Sequence, residues 1–132
     1  MNRDPVRITD TELAVLKVLW DNGPVAAREV TEVLYPACTE SDIGTVHSML
    51  QRLERKQLVS RDRSRRPHQF TPLVSREEVA GQELDAIAER LTDGSLIPFL
   101  THLVDTDRLS EDDLAQVRRL LRERTARRGP KE

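Results

Sequence analysis

The sequence predicts a mainly α fold with a small β-wing: a winged helix-turn-helix head followed by a C-terminal helical domain. Three observations lead there. Apolar residues recur at three- and four-residue steps through most of the chain, which is the signature of amphipathic helices. Aromatic residues make up only 3% of the 132 residues and charged residues 33%, so the core must come from Leu, Val, Ile and Ala on helical faces. One stretch of alternating character, Leu58 to Thr71, interrupts that pattern and reads as a two-stranded hairpin.

Taken in order, Ile8-Thr9-Asp10-Thr11-Glu12-Leu13 carries a capping box, Thr9 with Glu12, and starts the first helix. Leu13, Leu16, Leu19 and Trp20 keep its period, and Asn22-Gly23-Pro24 ends it near Asp21. Arg28 to Leu34 forms a short second helix with Val30, Val33 and Leu34 on its apolar side, stopped by Pro36. A polar loop from Ala37 to Ser41 then leads to a third helix. Its stripe is Ile43, Val46, Leu50 and Leu53, continued by Leu58 just past the helix end. Three short helices in this order make a helix-turn-helix core. Leu58–Arg63 and His68–Thr71, joined by Ser64-Arg65-Arg66-Pro67, form the wing, which Pro72 closes.

The composition shifts near Leu73, which sets the expected boundaries: a head over 1–73, a helical domain over 74–127 and a disordered tail over 128–132. Ser75-Arg76-Glu77-Glu78 is a second capping box, opening a helix with Ala80, Leu84, Ile87 and Leu91 at heptad-like steps. Thr92-Asp93-Gly94 stops it. Ser95 to Val104 follows with Pro98 in its first turn, and a last helix carries Leu114, Val117, Leu120 and Leu121. Three helices of this size cannot bury all their apolar faces alone, so the same segment of a second copy is expected to cover them. The dimerisation residues are Leu84, Ile87, Leu91, Leu100, Leu103, Leu114, Val117 and Leu121.

A net charge of −2 argues at first against a nucleic-acid partner, since phosphate attracts cations. The distribution reverses that. Between His47 and Phe70, seven cations (Arg52, Arg55, Lys56, Arg61, Arg63, Arg65, Arg66) stand against Glu54 and Asp62, a local net of +5. From Ser75 to Ala115, eleven carboxylates stand against Arg76, Arg90 and Arg108, a net of −8. One half of the chain is expected to face phosphate and the other not. On the third helix, Thr45, Ser48, Gln51, Arg52 and Arg55 lie off the apolar stripe, and their hydroxyl, amide and guanidinium groups are of the kind that reach base edges and phosphates in a major groove. The rival reading is a solvated helix face on a protein-binding helical adaptor with no DNA preference.

No apolar run approaches the ~20 residues needed to cross a bilayer, and Met1-Asn2-Arg3-Asp4-Pro5 lacks the apolar core of a signal peptide. A cytoplasmic protein without membrane insertion is expected. Cys38 is the only cysteine; it excludes an internal disulfide and reads as a small apolar residue. His47, His68 and His102 are scattered, with no second ligand at metal-binding spacing, so no metal and no cofactor is expected. No nucleophile, base and orienting group form a set, and no phosphate-binding glycine loop occurs, so the chain is not read as an enzyme. Glu111-Asp112-Asp113 suit a helix's first turn, where the dipole favours carboxylates.

The chain resembles the penicillinase-repressor family of winged-helix regulators, the BlaI/MecI/CopY group. The matching residues are Ile8-Thr9-Asp10-Thr11-Glu12 leading to Leu19-Trp20, then Arg28-Glu29-Val30, Thr45-Val46-His47-Ser48-Met49-Leu50-Gln51-Arg52-Leu53, and Phe70-Thr71-Pro72. The resemblance implies a homodimeric transcriptional repressor whose winged helix binds double-stranded DNA at a palindromic operator while the C-terminal helices interlock with their mates. It implies Thr45 and Ser48 as base-facing residues, Arg52 as a phosphate or structural contact and Arg66 as the wing arginine. With the residue reading, the expected DNA-binding set is Gly44, Thr45, Ser48, Gln51, Arg52, Arg55, Arg63, Arg65 and Arg66. Gly44 stands where relatives often have lysine or threonine, and Arg65-Arg66-Pro67 replaces a glycine-containing turn, so the operator sequence is expected to differ from theirs. Copper-responsive relatives carry paired cysteines near the C-terminus, whereas this chain has none after Cys38. Other relatives are released when a membrane-associated sensor protease cuts the helical region. Alignment puts that cut near His102-Leu103, where relatives of the staphylococcal type have Asn-Phe.

Overall fold

The computed structural model describes residues 7–128. The element order is α1 (Asp10–Asn22), α2 (Ala27–Leu34), α3 (Glu40–Arg55), β1 (Val59–Asp62), β2 (Gln69–Pro72), α4 (Arg76–Thr92), α5 (Ile97–Asp105) and α6 (Glu111–Arg128). The chain divides into two compact units between Leu84 and Asp85, within α4.

In the first unit, α1 begins with the expected reciprocal cap. The Thr9 hydroxyl accepts from the Glu12 amide at 3.2 Å while Glu12 Oε1 accepts from the Thr9 amide at 3.0 Å. Gly23 ends the helix at φ +71 and donates its N–H to the Leu19 carbonyl, a conformation that a side chain would strain. Helix α2 starts one residue before the expected Arg28, because Glu29 reaches back to the Ala26 amide at 2.9 Å. Val33, read into its apolar stripe, is 59% exposed. The interior position belongs to Thr31, four residues after Ala27, whose hydroxyl donates to the Ala27 carbonyl and so enters the core satisfied.

Helix α3 begins at Glu40, inside the segment expected to be a loop up to Ser41. A third capping box explains the difference: Thr39 accepts from the Asp42 amide and Asp42 from the Thr39 amide, each at 3.1 Å. Aspartate in place of the usual Glu or Gln hid this start in the sequence. Val46, Met49, Leu50 and Leu53 are its buried face, whereas Ile43 is only half-buried. They meet Val15, Leu16, Val18 and Leu19 of α1, Val30 of α2, and Leu58, Val59 and Phe70.

Strands β1 and β2 pair antiparallel, with Val59 opposite Pro72 and Arg61 opposite Phe70. The strands stop at Asp62, one residue short of the expectation, because its carboxylate accepts from both the Ser64 amide and the Ser64 hydroxyl and turns the chain. On its other edge, Phe70 exchanges two backbone hydrogen bonds with Val25. The wing base is thereby tied to the α1–α2 connection, a pairing that no sequence periodicity signals. The start of α4 is also anchored in this unit: the Trp20 indole donates to the Val74 carbonyl at 2.8 Å, Arg76 pairs with Asp21 at 2.8 Å, and Val79 is buried.

The second unit holds the rest of α4 with α5 and α6. Among its described residues, Ala88 is the one buried apolar residue. Leu91, Leu96, Ile97, Leu100, Val104, Val117, Leu120 and Leu121 remain exposed, from 39% to 65%. Helix α6 opens on a Ser110–Asp113 capping box and runs through Arg128, so the segment expected as a tail begins on a helical residue and its remainder lies outside the described residues. No helix among the described residues is long and apolar enough to cross a membrane.

Candidate nucleic-acid interface

The burial of one side of α3 decides what its other side presents. With Val46, Met49, Leu50 and Leu53 turned inward, the 100° step per residue brings Gly44, Ser48, Gln51 and Arg55 to the opposite side, with Thr45 and Arg52 along one edge. All six are exposed. Space around Gly44 is open, since a Cβ added there would meet nothing within 4 Å. The surface can therefore approach a partner closely at that point.

Thr45 is less free than the sequence suggested. Its hydroxyl donates to the Ser41 carbonyl at 3.0 Å, which leaves the methyl group and an oxygen lone pair facing outward. It can touch a thymine methyl or accept from a base, but its proton is committed to its own helix. Ser48 and Gln51 have no side-chain partner among the described residues and keep both donor and acceptor capacity.

The cations fall into two groups. Arg55, Arg65 and Arg66 are exposed and take part in no ion pair among the described residues. The others are engaged. Arg63 makes a bidentate pair with Glu54 at 2.9 and 3.1 Å, joining the wing to the last turn of α3. Arg61 lies over the Phe70 ring, 5.1 Å from its centroid, and its Nε donates to His68 Nδ1 at 2.9 Å. That bond requires an unprotonated Nδ1. Desolvation first, then the guanidinium groups of Arg61, Arg66 and Arg63, hold the His68 pKa below the ordinary imidazole value.

Glu12 was read only as a cap, and the sequence carries no sign of its longer reach. Its side chain is 1% exposed, yet Oε1 accepts from Lys56 Nζ at 2.7 Å and Oε2 faces Arg52 Nε at 3.6 Å. Lys56 also donates to the Arg7 carbonyl. Burial pushes the Glu12 carboxyl up, but the Lys56 ammonium and the Thr9 amide outweigh it, and the group sits below the ordinary carboxylate value. The C-terminal end of α3 is thereby fastened to the N-terminal end of α1.

A helix-turn-helix with a paired wing, offering hydroxyls, an amide and Arg55 on one helix face and Arg65 and Arg66 on the wing turn, defines a winged-helix DNA-binding protein of the transcriptional-regulator class. The chain belongs to the penicillinase-repressor family, whose model matches residues 8–123. It is 38% identical over 125 residues to the transcriptional regulator BlaI of Mycobacterium tuberculosis, covering 93% of this chain and 88% of that one. It is 25% identical over 122 residues to the penicillinase repressor of Bacillus licheniformis, covering 92% and 94%. A MarR family protein from Bacillus stearothermophilus aligns with 89% of this chain and 73% of its own at 22% identity and a TM-score of 0.47. The family is one of regulators rather than enzymes.

Proposed function

We propose that this chain is a sequence-specific transcriptional repressor that acts in the cytoplasm as a homodimer on a palindromic operator. One observation carries the reading: α3 turns Gly44, Thr45, Ser48, Gln51 and Arg55 outward, and the same unit offers Arg65 and Arg66, in no ion pair among the described residues, at the wing tip. Hydroxyls, amide and guanidinium groups on the helix face read base edges. Exposed arginines on the hairpin reach phosphate or a narrow minor groove. The family assignment supports the class of activity.

The dimer rests on the second unit, where Leu91, Leu100, Val117 and Leu121 stay at least 44% exposed, Leu84 and Ile87 at the adjoining part of α4 stand at 41% and 38%, and Leu103 and Leu114 are half-buried. Such a surface on isolated helices is unfavourable in water until a mate covers it. The head over 1–73 then reads DNA and the helices over 74–127 pair the copies. Release by a membrane-associated sensor protease is the finer part of the proposal. The bond His102–Leu103 lies inside α5, so a cut there needs α5 to unwind first.

Hydroxyl-radical footprinting on a duplex enriched from a random library by the full-length chain tests this directly. Two protected half-sites about one helical turn, ~10 bp, or a multiple apart are expected. A single unsymmetrical footprint would remove the homodimer, and uniform weak protection would favour the protein-binding adaptor.

A further inference from the structure

We propose that Glu12 is a positioning residue for DNA reading, holding Arg52 by its Nε so that the outer guanidinium nitrogens stay aimed from the reading face. The inference rests on the DNA-binding role proposed above. Arg52 follows Thr45 along one edge of α3, two helical turns on, beside the face that carries Ser48. Its side chain is 47% exposed while the carboxylate behind it is 1% exposed. The guanidinium faces the carboxylate through Nε, as an ion pair at 3.6 Å, and the side chain as a whole stays half open to solvent.

Charge balance separates this from a purely structural role. One buried carboxylate needs one cation, and Lys56 at 2.7 Å supplies it on Oε1, together with the Thr9 amide. Arg52 is a second cation, on Oε2. A second positive charge is not required to neutralise Glu12, but a fixed carboxylate is what restrains a long, rotamer-rich side chain. Arg55, one turn on, has no such anchor among the described residues. Its ordering would then occur only on binding, whereas that of Arg52 is already present.

Glu12→Gln keeps the shape and an oxygen for the Thr9 amide while removing the anchor charge. Plain electrostatics predicts that losing a carboxylate near phosphate tightens all DNA binding. Positioning predicts that affinity for the enriched duplex falls about tenfold, with affinity for a random-sequence duplex unchanged or raised. Equal losses on both duplexes, or no loss on the enriched one, would overturn the proposal. Should the variant fail to fold, 15N relaxation of the arginine Nε–Hε groups in the free wild-type chain decides the matter. Arg52 is expected to be ordered and Arg55 mobile, and equal mobility would overturn it. A wild-type chain that prefers no duplex would defeat the DNA-reading role, while the relaxation comparison would still report on Arg52.

Discussion

Arg63 grips Glu54 with both ends of its guanidinium, Nη1 to Oε2 at 2.9 Å and Nη2 to Oε1 at 3.1 Å, across the junction between the wing and α3. An arginine expected to meet DNA also braces the wing against α3. Exposed pairs contribute little to global stability, about 0.2–1 kcal/mol. Glu54→Gln should therefore lower the urea midpoint only slightly while weakening binding to an enriched duplex several-fold, because the wing is no longer fixed to the reading helix. Tighter binding on removal of that negative charge would show that the brace has no role.

Glu12 gives the head a defined acid sensitivity. Its carboxyl lies below the ordinary value in the folded chain, so the unfolded chain binds the proton more readily. The stabilisation is complete above the unfolded carboxyl value, 4.5, and is lost as pH falls through the folded value. Urea unfolding between pH 7 and 3 should show a steep loss in the wild type and a shallower one in Glu12→Gln, which starts lower by roughly 1–3 kcal/mol. Parallel curves would contradict the assignment.

His68 should titrate below 6.5 in the folded chain. A lowered folded pKa means the wing favours the neutral ring, so the contribution is present above the unfolded value and lost as pH falls through the folded one. Protonation removes the acceptor from Arg61 Nε. Following the ring Cε1–H by NMR should give a midpoint below 6.5, with the Arg61 Nε–Hε signal moving in step; a midpoint above 6.5 would contradict the bond.

Base reading and phosphate attraction should separate by mutation. Ser48→Ala removes a free hydroxyl and should relax base preference by roughly 1–3 kcal/mol without changing the salt dependence. Arg66→Ala should weaken all sequences evenly and reduce the salt slope by about one. Thr45→Val keeps the outward methyl and removes a hydroxyl whose proton already serves Ser41, so it should cost less than Ser48→Ala. Equal effects on enriched and random duplexes for all three would end these assignments.

The exposed leucines predict the assembly. Leu121→Glu, on α6 at 61% exposure, should turn a sedimenting dimer into a monomer while leaving the head's thermal unfolding unchanged. A persistent dimer would place the interface elsewhere.

The sequence revealed what repeats and hid what does not. The stripe Val46, Leu50, Leu53 and the alternation before Phe70 announced α3 and the wing, because helices and strands impose their own periods on the chain. The caps at Thr9 and Ser75 were equally legible, being local. Thr39 escaped because its partner is Asp42, and Val33 misled because a valine in a short helix says nothing about which third of the surface is covered. The links that organise the reading surface lie far apart in sequence: Glu12 with Lys56 and Arg52, Val25 with Phe70, Trp20 with Val74. No spacing rule reaches across 44 residues. For the same reason, arginines that looked alike in a charge count proved to be of two kinds, with Arg52, Arg61 and Arg63 engaged and Arg55, Arg65 and Arg66 free of ion pairs among the described residues.

If α3 and the wing read a DNA sequence, selection from a random duplex library by the whole 132-residue chain at moderate salt will reveal it. Enrichment of one two-fold symmetric motif is expected, bound at least ~10³-fold more tightly than random duplex. Recovery of no motif, with binding that only tracks salt, would contradict it.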